Sequence, residues 1–255
     1  MNSNTSIALV TGATAGIGEA IAHQLAHMGY KLIITGRRQE RLDELAQILV
    51  QKYQSEVLPL CFDVRDRIAT LTQIENLPEQ WKAVDVLVNN AGLAAGLSPI
   101  HEASIDDWEQ MIDTNVKGLL YITRALSPQM VARRKGYIIN IGSIAGKEVY
   151  SNGGVYCGTK FAVDALTKSM RIDLLTHGIK VSAIHPGMVE TEFSMVRFKG
   201  DLERAHVVYK GFEPLLAVDI AQAVEFLLTR PSHVNINEMT IMPSAQATAT
   251  LVNRI

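Results

Sequence analysis

Tyr156 and Lys160 stand four residues apart in the run Tyr156-Cys157-Gly158-Thr159-Lys160, with Ser143 thirteen residues upstream. In a helix, residues at that spacing lie one above the other, so a phenol and an ammonium can share one pocket. A free tyrosine titrates near pKa ~10 and exchanges protons poorly at neutral pH. A cation beside it favours the phenolate and brings it toward the range of a general acid or base. Ser143 would then donate the hydrogen bond that holds and polarises a substrate oxygen. The same spacing also fits a buried tyrosine with a surface lysine on an ordinary helix. The residues before the serine favour the chemical reading. Gly136-Tyr137-Ile138-Ile139-Asn140-Ile141-Gly142 is a short apolar run ending in glycine, which predicts a buried strand delivering Ser143 at its C-terminal edge. In open α/β sheets that edge is where ligands bind.

Positioning these side chains takes a sheet. Short β-branched runs recur at Ile7 to Thr11, Lys31 to Thr35, Val57 to Phe62, Val84 to Val88, Tyr137 to Ile141, Ile179 to Ile184 and Glu238 to Met242, each separated by enough chain for a helix. Alternation of this kind predicts a parallel sheet with right-handed crossovers: an α/β, Rossmann-type doubly wound three-layer sandwich with helices on both faces. The longest helical candidates run from Ile105 to about Ala132 and from Gly153 to about Thr176. The stretch 190–212, after the sixth strand, belongs to no layer and is the natural place for a substrate lid.

A chain of 255 residues, 47% hydrophobic and 20% charged, suits one globular domain spanning 1–255. A formal net charge of -2 offers no basic field for nucleic acid and points to a small-molecule partner. Cys61 and Cys157 match no metal or redox spacing and are expected to be reduced packing residues. The polar stretch Met1 to Ser6 leads into only four apolar residues, Ile7 to Val10, too few for a signal peptide or a membrane span. A cytosolic protein with no membrane partner is expected.

The first strand runs into Thr11-Gly12-Ala13-Thr14-Ala15-Gly16-Ile17-Gly18, followed by a helical pattern from Glu19 to Met28. Gly12 can make the tight turn, Gly16 lets a pyrophosphate approach the backbone, and Gly18 permits close helix packing, with phosphates at the helix N-terminus. A plain tight turn is the alternative. Where NAD enzymes place an acid at the end of the second strand, this chain has Gly36, then Arg37 and Arg38, which would welcome a 2′-phosphate. Two cations at a helix start oppose its dipole, so a compensating anion is expected. The alternative is a solvated basic turn balanced by Glu40 and Glu44. Asp63-Val64 and Asn89-Asn90-Ala91-Gly92 end two further strands on the same edge. Asp63 fits an adenosine contact or an N-cap equally, Asn89 a tie between strands, and Asn90 to Gly92 a cofactor contact.

Together, Thr11-Gly12-x-x-x-Gly16-Ile17-Gly18, Asn89-Asn90-Ala91-Gly92, Asn115, Ser143, Tyr156-x-x-x-Lys160 and Pro186-Gly187 resemble the short-chain dehydrogenase/reductases over nearly the whole chain. The resemblance implies a catalytic tetrad of Asn115, Ser143, Tyr156 and Lys160, with Asn115 holding a water that links Lys160 to solvent. Lys160 would also bind the nicotinamide ribose. NADP(H) would further contact Thr14, Ile17, Asp63, Val64, Asn90, Ala91 and Gly92, while Pro186, Gly187 and Val189 with Thr191 hold the carboxamide. A dimer or homotetramer through two long helices, Trp108 to Ala132 and Gly153 to Thr176, is implied as well, although their apolar content fits ordinary core equally. Within the family, Glu192 to Asp201 and His233 to Asn237 look like the branch of NADP-dependent 3-hydroxy acid dehydrogenases, which oxidise serine and related β-hydroxy acids. Lys147 and the tail from Ser244 depart from that branch.

The reading is an NADP(H)-dependent oxidoreductase moving a hydride between nicotinamide and a secondary alcohol or carbonyl carbon, with 3-hydroxy acids as the substrate class. A general carbonyl or 3-ketoacyl reductase and a non-catalytic NADP(H)-binding redox sensor are the alternatives. Arg197, with Lys199 as the alternate, is the candidate anchor for a substrate carboxylate, because arginine can grip one through two parallel hydrogen bonds; the alternative is that both are solvated on a mobile surface segment. His23 and His27 lack a third metal ligand and read as a solvated helix face. His185 reads as a supporting residue, and Met111, Met130 and Met170 as packing.

Overall fold

Alternate residues of a strand turn to opposite faces of the sheet, and here both faces are apolar. The computed structural model describes residues 6–255; most of the polar N-terminal stretch read above lies outside the described residues. In chain order the elements are β1 (Ile7–Val10), α1 (Gly16–His27), β2 (Lys31–Gly36), α2 (Gln39–Tyr53), β3 (Val57–Cys61), α3 (Arg67–Glu75) and β4 (Val84–Asn89). Then follow α4 (Ile105–Ile112), α5 (Leu119–Arg133), β5 (Gly136–Ile141), α6 (Gly154–Leu174), β6 (Ile179–Pro186) and β7 (Val189–Glu190). The chain ends with α7 (Phe193–Arg197), α8 (Leu202–Val207), β8 (Leu215–Leu216), α9 (Ala217–Leu228) and β9 (Glu238–Ile241).

Seven strands form one sheet in the order β3-β2-β1-β4-β5-β6-β9, every neighbouring pair parallel. Ala8, Val10, Leu32 and Ile34 pack on one side with Ile21 and Leu25 of α1, Leu42 of α2 and Ile220 and Leu227 of α9. Their neighbours Ile7, Leu9 and Ile33 pack on the other with Ile74 of α3, Ile122 and Leu126 of α5 and Val163 of α6. Burial on both faces is what turns these strands into continuous apolar runs and forces the three-layer sandwich. Met130 and Met170 are buried in the second of these layers and Met111 in a smaller cluster with Leu93 and Cys157, packing residues as expected. Cys157 is buried but Cys61 is exposed at the end of the edge strand β3, so only one cysteine is a packing residue.

Order reverses between β2-β1 and β4-β5, and the loops leaving β1 and β4 diverge there to open a crevice at the C-terminal edge. Two departures from the expected helices matter to that crevice. The helix expected from Ile105 is interrupted by a π-turn over Asp113–Gly118, which contains Asn115. This wider turn swings the Asn115 side chain onto Leu93: Oδ1 accepts from the Leu93 N–H and Nδ2 donates to its carbonyl, both at 2.8 Å. The stretch 190–212 carries two short helices, and the parallel pair β7-β8 closes its base.

Candidate active site

The C-terminal ends of β1, β4, β5 and β6 surround a cavity of about 660 Å³, within the usual range for cofactor and ligand sites. Its adenosine end is built on glycine. A Cβ on Gly12 would lie 2.9 Å from the Ala91 Cα, and Gly12 also takes a positive φ of 67° that other residues rarely adopt. At Gly18 a Cβ would overlap the Gly12 carbonyl oxygen and the Asn90 amide, so α1 enters close beneath the loop. Asn90 clasps that loop, Nδ2 donating to the Thr11 and Gly12 carbonyls at 2.9 and 3.1 Å. Asn89 ties β4 to its neighbours through Asn140 and Thr123, both at 2.9 Å, as its type and place predicted.

The compensating anion for the basic turn comes from far along the chain. Arg38 donates to Thr14 Oγ1 at 2.9 Å and to Glu192 at 3.1 Å, and Arg41 donates to the other Glu192 oxygen at 2.6 Å. Hydrogen bonding from Arg41, and less strongly from Arg38, holds the Glu192 carboxyl below its ordinary range. Glu40 and Glu44 do not take that part. Arg37 is half exposed, 3.9 Å from Asp63, and lines the cavity with Arg38. Asp63 is not an N-cap: Asp66 caps α3 by accepting from the Ala69 N–H, while Asp63 is gripped by Arg65 at 2.6 Å. Val64 packs against Gly118 and faces the cavity.

At the other end Tyr156, Ser143 and Lys160 meet, as the spacing predicted. The Ser143 hydroxyl accepts from the Ala145 N–H at 3.1 Å and lines the cavity with the Tyr156 phenol, whose ionised form it favours. Lys160 Nζ donates to the Ile141 carbonyl at 3.0 Å and sits 6.0 Å from the Tyr156 ring centre. Burial pushes the Tyr156 phenol up, against the Ser143 hydrogen bond and the Arg197 charge. Burial also lowers Lys160 to about 8. The expectation that Lys160 draws the phenol down is therefore not met by these residues alone: a lysine bonded to a carbonyl and itself desolvated gives the phenol little. Asn115 lies beside them, but both its amide hydrogens are committed, to the Leu93 carbonyl and to Thr159 Oγ1 at 3.0 Å. Its side-chain amide has no donor left for the relay water that the resemblance implies.

Arg197 and Lys199, read as the candidate carboxylate anchor and its alternate, part company. Arg197 reaches inward: Nε donates to the Gly96 carbonyl at 3.2 Å, and its guanidinium carbon lies 5.4 Å from the Tyr150 ring centre and 5.9 Å from that of Tyr156. Its Nη2 is buried without a hydrogen-bond partner among the described residues. Lys199 turns away and pairs with Asp107 at 2.9 Å. Thr191 packs on Gly16, and Gly187 is covered by Gln246, whose Oε1 accepts from the Met188 N–H at 2.8 Å. Arg41, Glu192, Tyr150 and Gln246 were not assigned roles from the sequence. Of these, only Arg41, one turn beyond Arg37 on a basic helix start, carried a signal that could have marked it. His23 and His27 set their edges on Tyr53, with ring centres 5.8 and 6.1 Å away.

A phosphate-cradling glycine loop at a sheet's switch point, with a serine, a tyrosine and a lysine at the far end of the same cavity, defines a nucleotide-dependent oxidoreductase site. The family pattern described as short chain dehydrogenase matches residues 6–201, and the chain belongs to that family. It is 52% identical to a probable NADP-dependent dehydrogenase of Haemophilus influenzae, over 96% of each chain. It is 51% identical to the NADP-dependent 3-hydroxy acid dehydrogenase YdfG of Salmonella typhimurium, over 96% of this chain and 98% of that one. The closed form of serine dehydrogenase complexed with NADP+ superimposes with a TM-score of 0.91 at 49% identity, covering 98% of this chain and all of that one.

Proposed function

We propose that this protein is an NADP(H)-dependent dehydrogenase of small 3-hydroxy acids, serine among them. The observation that carries the substrate class is Arg197: a guanidinium nitrogen buried without a hydrogen-bond partner among the described residues, on a guanidinium 5.9 Å from the Tyr156 ring centre. Leaving such a donor unpaired costs about 1–3 kcal/mol, and a substrate carboxylate would satisfy it. The name of the Salmonella typhimurium relative, 51% identical, points to the same class.

The cavity fits the cofactor. Gly12, Gly16 and Gly18 open the backbone to a pyrophosphate, and Arg37, Arg38 and Arg41 stand where a 2′-phosphate needs cations. Asp63 and Val64 would flank adenine, and Pro186, Gly187, Val189 and Thr191 the carboxamide. The bound nicotinamide supplies the hydride acceptor or donor. The chain's own residues do the rest. Tyr156 passes the proton of the substrate hydroxyl, Ser143 holds that oxygen, Lys160 fixes the ribose and provides local positive charge, and Asn115 braces the loop after β4. The stretch 190–212 serves as the substrate lid, and its contact through Arg197 with Gly96 is its closed position. The enzyme acts as one domain, in the cytoplasm, as a dimer or tetramer built on the helices α5 and α6.

The test is turnover followed at the nicotinamide absorbance band with matched pairs of 3-hydroxy acids and neutral secondary alcohols. The acids should be preferred. Arg197→Met, which keeps length and loses charge, should lower kcat/KM for the acids and spare the alcohols. A uniform effect on both would reject the anchor and favour a general carbonyl reductase.

A further inference from the structure

Behind the serine lies a group of ionisable side chains with no part in the chemistry above. Ser143 opens a short 3-10 turn, and Lys147 closes it. The Lys147 ammonium lies 2.7 Å from Asp164 Oδ1 and 2.6 Å from Glu238 Oε2. Asp164 is on α6, one helical turn beyond Lys160 and two beyond Tyr156, while Glu238 opens β9. Lys168 holds the second Asp164 oxygen at 2.8 Å. Next to these groups is His185, with no exposed surface. Its Nε2 is 3.6 Å from Asp164 Oδ1 and 3.9 Å from Glu238 Oε2. The Nδ1 side lies so close on Gly142 that a Cβ there would overlap it. Neither ring nitrogen has a hydrogen-bond partner among the described residues.

Asp164, His185 and Glu238 converge as metal ligands do, but the Lys147 ammonium already bridges the two carboxylates. Without it two acidic groups would repel across a partly buried gap. With it they are neutralised, and the imidazole under the serine backbone stays uncharged, burial and the lysine together lowering its pKa to about 4. The single turn carrying Ser143 is thereby tied to the helix that carries Tyr156 and Lys160 and to the last strand of the sheet.

We propose that Lys147 and His185 are positioning residues for Ser143: the lysine ties the serine turn to α6 and β9, and the buried ring supports its backbone, so that the hydroxyl meets the same substrate oxygen as the phenol. The inference rests on the assignment of Ser143 given above. A misplacement well under 1 Å costs rate, so Lys147→Met should lower kcat for a 3-hydroxy acid about tenfold while the NADP+ dissociation constant, from titration, stays within about twofold. Lys147→Arg should restore most of the rate, and His185→Asn should follow Lys147→Met. In a Ser143→Ala background, Lys147→Met should cost nothing further, because its effect runs through the serine. An unchanged kcat in Lys147→Met, an equal loss with and without the serine, or a matching loss of NADP+ affinity would each overturn the proposal. An unchanged kcat in Ser143→Ala alone would instead remove the serine assignment itself.

Discussion

A phenol serves as both acid and base only when its surroundings bring its pKa toward the working pH, and the Tyr156 pocket pulls both ways. Burial raises it, while the Ser143 hydroxyl and the Arg197 charge oppose that rise. Phe193 packs edge-on against the ring, with ring centres 5.7 Å apart. Tyr156→Phe removes one oxygen and leaves this packing intact. Turnover is expected to fall at least about a hundredfold, the scale of general acid-base catalysis, with NADPH binding retained in a fluorescence titration. Near-normal turnover would mean that another group moves the proton, and His185, buried away from the cavity, is not placed to do so.

Among the elements, α7 has a reach out of proportion to its five residues. Glu192, just before it, takes Arg38 and Arg41 of the second crossover, Phe193 covers Tyr156, and Arg197 at its end bonds Gly96. One short helix thus touches the adenosine-end cations and the substrate end together. Exposed ion pairs of this kind contribute little to stability, so their meaning lies in binding. Charge-assisted contacts to a 2′-phosphate contribute roughly 1.5–3 kcal/mol. Arg37→Ala combined with Arg38→Ala should therefore weaken NADPH more than tenfold and leave NADH binding nearly unchanged, as isothermal titration would report. Equal losses for both cofactors would mean that the arginines only brace the loop at Thr14.

For the molecule as a whole, the buried imidazole sets a pH limit. His185 stays neutral in the fold down to about pH 4, whereas an unfolded histidine protonates near 6.5. The unfolded chain then binds a proton that the folded chain refuses, so stability falls as pH drops from about 6.5 to about 4 and levels off below. The full shift corresponds to at most about 3 kcal/mol. Asp164 is raised by burial but drawn lower still by Lys147 and Lys168, and Glu238 is lowered chiefly by Lys147. Both therefore begin to lose their stabilisation only near their unfolded values, 4.5 for Glu238 and 3.8 for Asp164, at the acid end of this window and below it. His23, also lowered by burial, acts in the same direction as His185. Denaturant unfolding of the wild type and His185→Asn across pH 7.5 to 4 separates them: the variant should show a shallower decline between about 6.5 and 4. Parallel curves would mean that the fold does not depress His185 and that it titrates as it does in the unfolded chain.

The alternation of strand and helix, the glycine loop and the placing of Tyr156 and Lys160 in one pocket were all legible in the chain. Each depends on local periodicity or on a short spacing, and local geometry converts these directly into position. Every strand of the seven-stranded sheet lies within two residues of its expected limits, because buried parallel strands announce themselves as apolar runs, while the two-residue strands β7 and β8 carried no such signal. What the tertiary structure decided was which charges meet. Glu192 reaches Arg38 across 154 residues and Lys147 reaches Glu238 across 91, and no spacing rule links such pairs. Arg197 and Lys199 are two residues apart and equally basic, yet one faces the tyrosine and the other Asp107, because the chain turns through a left-handed conformation at Lys199, with φ of 53°. The direction of the pKa shifts belongs to the same class. Desolvation depends on everything packed around a group, and only the folded chain brings those neighbours together.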